Sequence, residues 1–115
     1  MEYLGVHDGS HLWINANETF RFIVLNAGTP QQIVSYLITN DERKYLQIVA
    51  EMFMPHLSNR REPVFYNFVE EITNNGVRMS MYEGDEKVIF LSQQRTGNEM
   101  RYSIMLMSEK ALSEQ

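Results

Sequence analysis

Asn17-Glu18-Thr19-Phe20-Arg21-Phe22-Ile23-Val24-Leu25-Asn26-Ala27 admits two readings, and the fold class turns on the choice. Phe20, Ile23, Val24 and Ala27 fall at i, i+3, i+4 and i+7, with Asn17 placed to cap and Gly28 to stop, which predicts a short helix. Phe20, Phe22 and Val24 also alternate, and the aromatic and β-branched content would suit a strand. The helix is the reading adopted here, the strand its alternative.

Immediately downstream, Thr29-Pro30-Gln31-Gln32 carries the strongest local start signal in the chain: a capping hydroxyl, a proline suited to the first helical position, and a glutamine able to reach back. Ile33, Val34, Leu37 and Ile38 then form one apolar stripe, predicting a second helix that ends near Thr39 or Asn40. Asp41 and Glu42 sit favourably against the positive end of a third helix dipole, and Tyr45, Ile48, Val49, Met52 and Phe53 hold its period as far as Pro55 allows. Glu62-Pro63 opens a fourth, with Phe65, Phe68, Val69 and Ile72 on one face and Asn74-Asn75-Gly76 as its stop.

After Gly76 the period changes from 3.6 to 2. Val77, Met79 and Met81 alternate with Arg78, Ser80 and Tyr82, the pattern of a half-buried strand. Gly84-Asp85 in Glu83-Gly84-Asp85-Glu86 suits a tight turn, Lys87 to Gln93 a middle strand, Arg95-Thr96-Gly97-Asn98 a second turn, and Glu99 to Met107 a third strand. His11-Leu12-Trp13-Ile14 could extend the same sheet. The predicted fold class is therefore α+β: three to four short helices, then a C-terminal three-stranded antiparallel meander open to extension by an N-terminal strand. Residues 1–115 form one compact domain, with 108–115 a polar tail expected to fray.

Composition narrows the chemistry. The 115 residues include no cysteine, which removes disulfides, thiol nucleophiles and thiolate metal sites. Ten basic against fifteen acidic side chains give a formal charge of −5, which repels polyphosphates and anionic bilayers. The two halves are alike: residues 1–58 hold three basic and six acidic groups, residues 59–115 seven and nine. No apolar run approaches a membrane span, and the N-terminus lacks the basic start and long apolar stretch of a secretory signal, so a cytoplasmic location without membrane attachment is expected. Asn17-Glu18-Thr19 fits a glycosylation pattern that such a location leaves unused.

No motif argues for catalysis, and the expectation is of a protein that is not an enzyme and needs no cofactor. There is no Gly-x-Ser-x-Gly elbow, phosphate loop or His-Glu-x-x-His helix, and the adjacent Glu70 and Glu71 would diverge by about 100° on a helix rather than share a proton. His7, Asp8 and His11, with His56 as a distant third nitrogen, have a spacing that can hold a divalent ion, giving a metal-dependent enzyme as one alternative. Asp8-Gly9 serves equally as a turn. A second alternative is a helix-turn-helix or winged-helix-like DNA-binding regulator built on Thr29 to Phe53, with Arg60, Arg61, Arg78, Arg95 and Arg101 gathered as a patch. Against it stand Asp41-Glu42 at the start of the would-be recognition helix and carboxylates at the first wing tip, so nucleic acid is not the expected partner.

Methionine is the feature out of proportion. Of eight, Met79, Met81, Met100, Met105 and Met107 fall on the outer strands of the meander. The flexible thioether fits irregular core gaps and adaptable binding surfaces alike. Helices would cover one face of a small sheet, so Met105 and Met107, on the other, should meet a second copy or another protein. The expected function is that of a small cytosolic regulatory or adaptor protein binding another protein stoichiometrically, as a homodimer through the reverse face of its Met-rich sheet. Met105, Met107, Ile89 and Leu91 would form the apolar centre and Arg78 and Arg101 the rim.

Overall fold

The computed structural model describes residues 2–7, 10–15, 18–53 and 66–113. It corrects the predicted fold class. The chain is predominantly β: the described residues form eight strands in one antiparallel sheet and two short helices rather than an α+β array of helices followed by three strands. In chain order the elements are β1 (Glu2–His7), β2 (Ser10–Ile14), β3 (Phe20–Leu25), β4 (Ile33–Thr39), α1 (Glu42–Phe53), β5 (Asn67–Asn74), β6 (Val77–Gly84), β7 (Lys87–Thr96), β8 (Glu99–Ser108) and α2 (Glu109–Ser113). The sheet order is β1-β2-β3-β4-β8-β7-β6-β5, two four-stranded meanders joined where β4 pairs with β8.

Three of the four predicted helices are overturned in their described parts. Phe20–Leu25 takes the alternative strand reading, because its aromatic and β-branched side chains fill both faces between β2 and β4. Ile33–Thr39 is a strand as well, lying between β3 and β8, and its four-residue apolar stripe reflects burial on both faces rather than a helical period. The capping signals at Thr29 are nonetheless used. The Thr29 hydroxyl accepts from the Gln31 N–H at 3.2 Å, and the Gln32 side chain accepts from the Gly28 N–H at 2.9 Å. These bonds close a turn between strands, since pairing on both sides of Ile33 offers more hydrogen bonds and burial than a continued helix would.

The third misreading falls on Asn67–Asn74. A β-bulge between Phe68 and Glu70 breaks the two-residue alternation, so Phe68, Val69 and Ile72 mimic a helical face while lying on a strand. Asn74-Asn75-Gly76, read as a helix stop, is a hairpin: Asn75 and Gly76 take φ of 51° and 78° between the paired residues Asn74 and Val77, the geometry of a type I′ turn. Residues 62–65 of that predicted helix lie outside the described residues.

The one long helix among the described residues, α1, agrees with its prediction. Asp41 caps it by accepting from the Lys44 N–H at 3.0 Å, and Asn40 ties its start to β8 through reciprocal bonds with Met100. Tyr45 and Ile48 face the sheet and pack with Ile38, Ile89, Tyr102 and Ile104, the last two isoleucines being wholly buried. The rings of Tyr45 and Tyr102 stack at 4.6 Å. The three strands predicted after Gly76 are present as β6, β7 and β8, but the predicted three-stranded meander has four strands, because β5 pairs with β6. The first predicted turn is shifted by one residue, because Gly84 pairs with Lys87 and leaves Asp85-Glu86 as the loop. Among the described residues no helix is long and apolar enough to cross a membrane.

Candidate functional site

Strand pairing assigns every described side chain of the central strands to one of two faces. The α1 face carries Phe20, Tyr36, Ile38, Tyr102, Ile104, Ile89, Leu91 and Tyr82. The reverse face is organised in rows running across the strands. One row, Leu25, Ile33, Met107 and Val88, lies beneath α2, whose Ala111 is 2% exposed. The next, Leu12, Ile23, Ser35, Met105, Phe90 and Met81, is half-buried apart from the buried Ser35. Beyond it the cross-strand sequence Arg21, Leu37, Ser103, Ser92, Met79 turns polar, and Thr39, Arg101 and Gln94 follow. An open groove of about 640 Å³ lies over this polar half.

The six residues expected to form one interface are thereby separated. Met107, 4% exposed, is held under α2, while Met105 on the same face is half-buried. The tail expected to fray supplies that cover: the Ser108 hydroxyl accepts from the Ala111 N–H at 3.0 Å, the Glu109 N–H donates to the Glu86 carbonyl, and the chain turns back over β8 and β7. Ile89 and Leu91 lie on the opposite face, Ile89 fully buried beneath α1. Arg78, also on the α1 side, forms an ion pair with Glu71 of the adjacent strand, and Arg101 on the reverse side pairs with Glu99 at 2.8 Å. Glu71 holds the exposed Arg78 guanidinium above its ordinary pKa, first through their hydrogen bond and then through charge.

The alternative readings are placed in the same way. Thr29 to Phe53 forms no helix-turn-helix, because its first half is β4. Asp8 and His56 lie outside the described residues. His11 stacks on Trp13 of the same strand, and no metal-binding group of side chains occurs among the described residues.

What the sequence reading missed is β5. It ends the sheet, and all eight of its residues are exposed, including Phe68 at 59%, Val69 at 42% and Ile72 at 45%. Phe68 makes edge-on contact with Tyr82 at 5.7 Å, leaving its other surfaces to solvent. An edge strand presents N–H and C=O groups of alternate residues away from its neighbour, so among the described residues this edge joins backbone without a strand partner to apolar side chains. The Asn75-Gly76 pair followed by strict alternation from Val77 was the hairpin signal that could have revealed it. The chain matches no family model and no curated protein.

Proposed function

We propose that this is a small cytoplasmic regulatory or adaptor domain that acts by binding another protein, without catalysis, and that the partner adds an extended segment to β5 as a ninth strand. The single observation behind this reading is that every residue of β5 is exposed, with three large apolar side chains on a sheet edge that no described strand covers. Backbone hydrogen bonds would supply affinity, and alternate side chains beside Phe68 and Ile72 would supply selectivity. The bulge at Val69 shortens the regular part of the edge to Glu70–Asn74, which limits runaway pairing while leaving room for one short segment.

Selection of random displayed peptides on the immobilised full chain, followed by N-methylation of each backbone amide in the best binder, tests this. Loss of binding at every second position, together with loss on Ile72→Ser, is the expected result. Insensitivity to N-methylation, or sensitivity without a two-residue period, would refute strand addition.

A second reading, pairing of two copies through the reverse face, draws on Leu37, 37% exposed there, and the half-buried Met105. Equal solution masses for wild type and Met105→Lys, both monomeric at high concentration, would dismiss it.

A further inference from the structure

The surroundings of β5 are charged as well as apolar, and carboxylates outnumber cations there. Glu70 pairs with Met81 on the reverse face, which makes it a diagonal neighbour of Glu83, two residues further along β6. Such neighbours lie about 7–8 Å apart. Asp85 and Glu86 form the adjoining β6–β7 turn, and Lys87 is the only cation in that stretch. Among the described residues Glu70, Glu83, Asp85 and Glu86 take part in no ion pair, whereas Glu71 is already neutralised by Arg78. Four free carboxylates against one ammonium leave a net charge of −3 over these five side chains, at the end of β5 that holds Asn67, Phe68 and Glu70.

We propose that the segment received by β5 is basic as well as apolar, with apolar residues against Ile72 and Val69 and a basic one opposite Glu70, the carboxylate of Glu71 being already matched by Arg78. This rests on the strand-addition reading and gives its partner a chemistry. An antiparallel ninth strand sets one residue opposite Ile72, the next opposite Glu71, the next opposite Glu70, and the fourth against the bulge at Val69. Opposite Ile72 an aliphatic side chain covers surface now open to water. Opposite Glu70 a lysine or arginine meets a carboxylate that has no counter-ion of its own, within the field of Glu83. An acidic segment would meet like charge at the same positions, and a serine would gain the backbone bonds alone. A second copy of β5 is a poorer occupant, because it brings its own glutamates and a further −5 of charge to the same edge.

Three ten-residue peptides that differ only at the residue opposite Glu70 test the inference, one carrying Val-Ser-Lys-Val, one Val-Ser-Ser-Val and one Val-Ser-Glu-Val. Fluorescence anisotropy gives affinities, and amide hydrogen exchange of the full chain gives the site. The lysine peptide is expected to bind about tenfold more tightly than the serine peptide at low salt, an advantage that shrinks at 0.5 M salt as exposed charges are screened. It should protect amides of residues 67–74, and Glu70→Gln combined with Glu83→Gln should reduce its advantage several-fold. Equal binding of the lysine and serine peptides at β5 would overturn the charge inference and leave strand addition standing. Protection elsewhere in the sheet, or no binding of the lysine peptide at millimolar concentration, would overturn it as well, while the N-methylation pattern judges strand addition separately.

Discussion

Met107 and Met105 are the same residue type on the same face of the same strand, two positions apart, and differ in how fully they are covered: Met107 is buried in one cluster with Ala111 of α2, whereas Met105 packs against the margin of that cluster. Their replacement by alanine isolates what that short helix contributes. At 4% exposure Met107 loses nearly all its contacts on truncation, and a buried Met→Ala change costs about 2–5 kcal/mol. Because α2 has only five residues and can settle inward, the lower part of that range applies, about 2.5 kcal/mol. Met105 is half-buried at the margin of that cluster, with less surface to lose and a smaller void to leave, so its cost should be about 1 kcal/mol. For 115 residues the unfolding entropy is about 0.24 kcal/mol/K, which converts these costs into falls in Tm of about 10 °C and about 4 °C. Urea titration of both variants, with slopes compared to confirm two-state unfolding, is the assay. A third background closes the test: Ala111→Asp places a carboxylate at a site 2% exposed and should lift α2 off the sheet, after which the two methionines should cost the same. If Met107→Ala proves no more costly than Met105→Ala in the wild-type chain, α2 does not cover the reverse face and the assignment of burial there is wrong.

Glu86→Gly should stabilise the protein by about 0.5–1 kcal/mol, because Asp85 and Glu86 hold φ of 51° and 59° in a two-residue hairpin loop where a side chain is strained; a lower or unchanged Tm would contradict that turn geometry. Burial pushes the Tyr45 hydroxyl above its ordinary value of 10.0, against a smaller opposing effect of the hydrogen bond with Gln93, and burial raises Tyr36 too. A raised folded-state pKa means the folded chain holds the proton longer, so this stabilisation is complete below about pH 10 and is lost as the pH climbs through the folded-state value. Thermal melts from pH 8 to 11 should show Tyr45→Phe declining less steeply than wild type, and parallel declines would exclude Tyr45 as a contributor.

The legible parts of the sequence were those where local chemistry and tertiary position agree. Asp41 caps a helix whose apolar period continues undisturbed to Phe53, and the alternation of Val77, Met79 and Met81 belongs to a strand with different environments on its two faces. The illegible parts were central or irregular strands. Ile33-Val34-Ser35-Tyr36-Leu37-Ile38 is apolar on both sides because α1 lies over one face and the α2 half of the sheet holds the other, and a run apolar on both sides carries no period to read. Phe68-Val69-Glu70-Glu71-Ile72 lost its alternation to one inserted residue. The site expectation failed for a related reason. Met105 and Met107 were rightly placed together on one face, but Ala111 sits in a segment too short and polar to announce a helix, and its cover of Met107 comes from tertiary contact alone.

The position of β8 has a consequence for how the chain is made. Its partner β4 is complete at Thr39, yet the matching residues Arg101 to Met107 are added roughly 3–14 s later at synthesis rates of about 5–20 residues per second. Throughout that interval the future middle of the sheet is a raw border, carrying Ile33, Tyr36 and Ile38 with no neighbour on one side. The newborn N-terminal half therefore passes through a sticky adolescence that the finished molecule conceals, and any factor that shelters it on the ribosome would act on a border that no longer exists once translation ends.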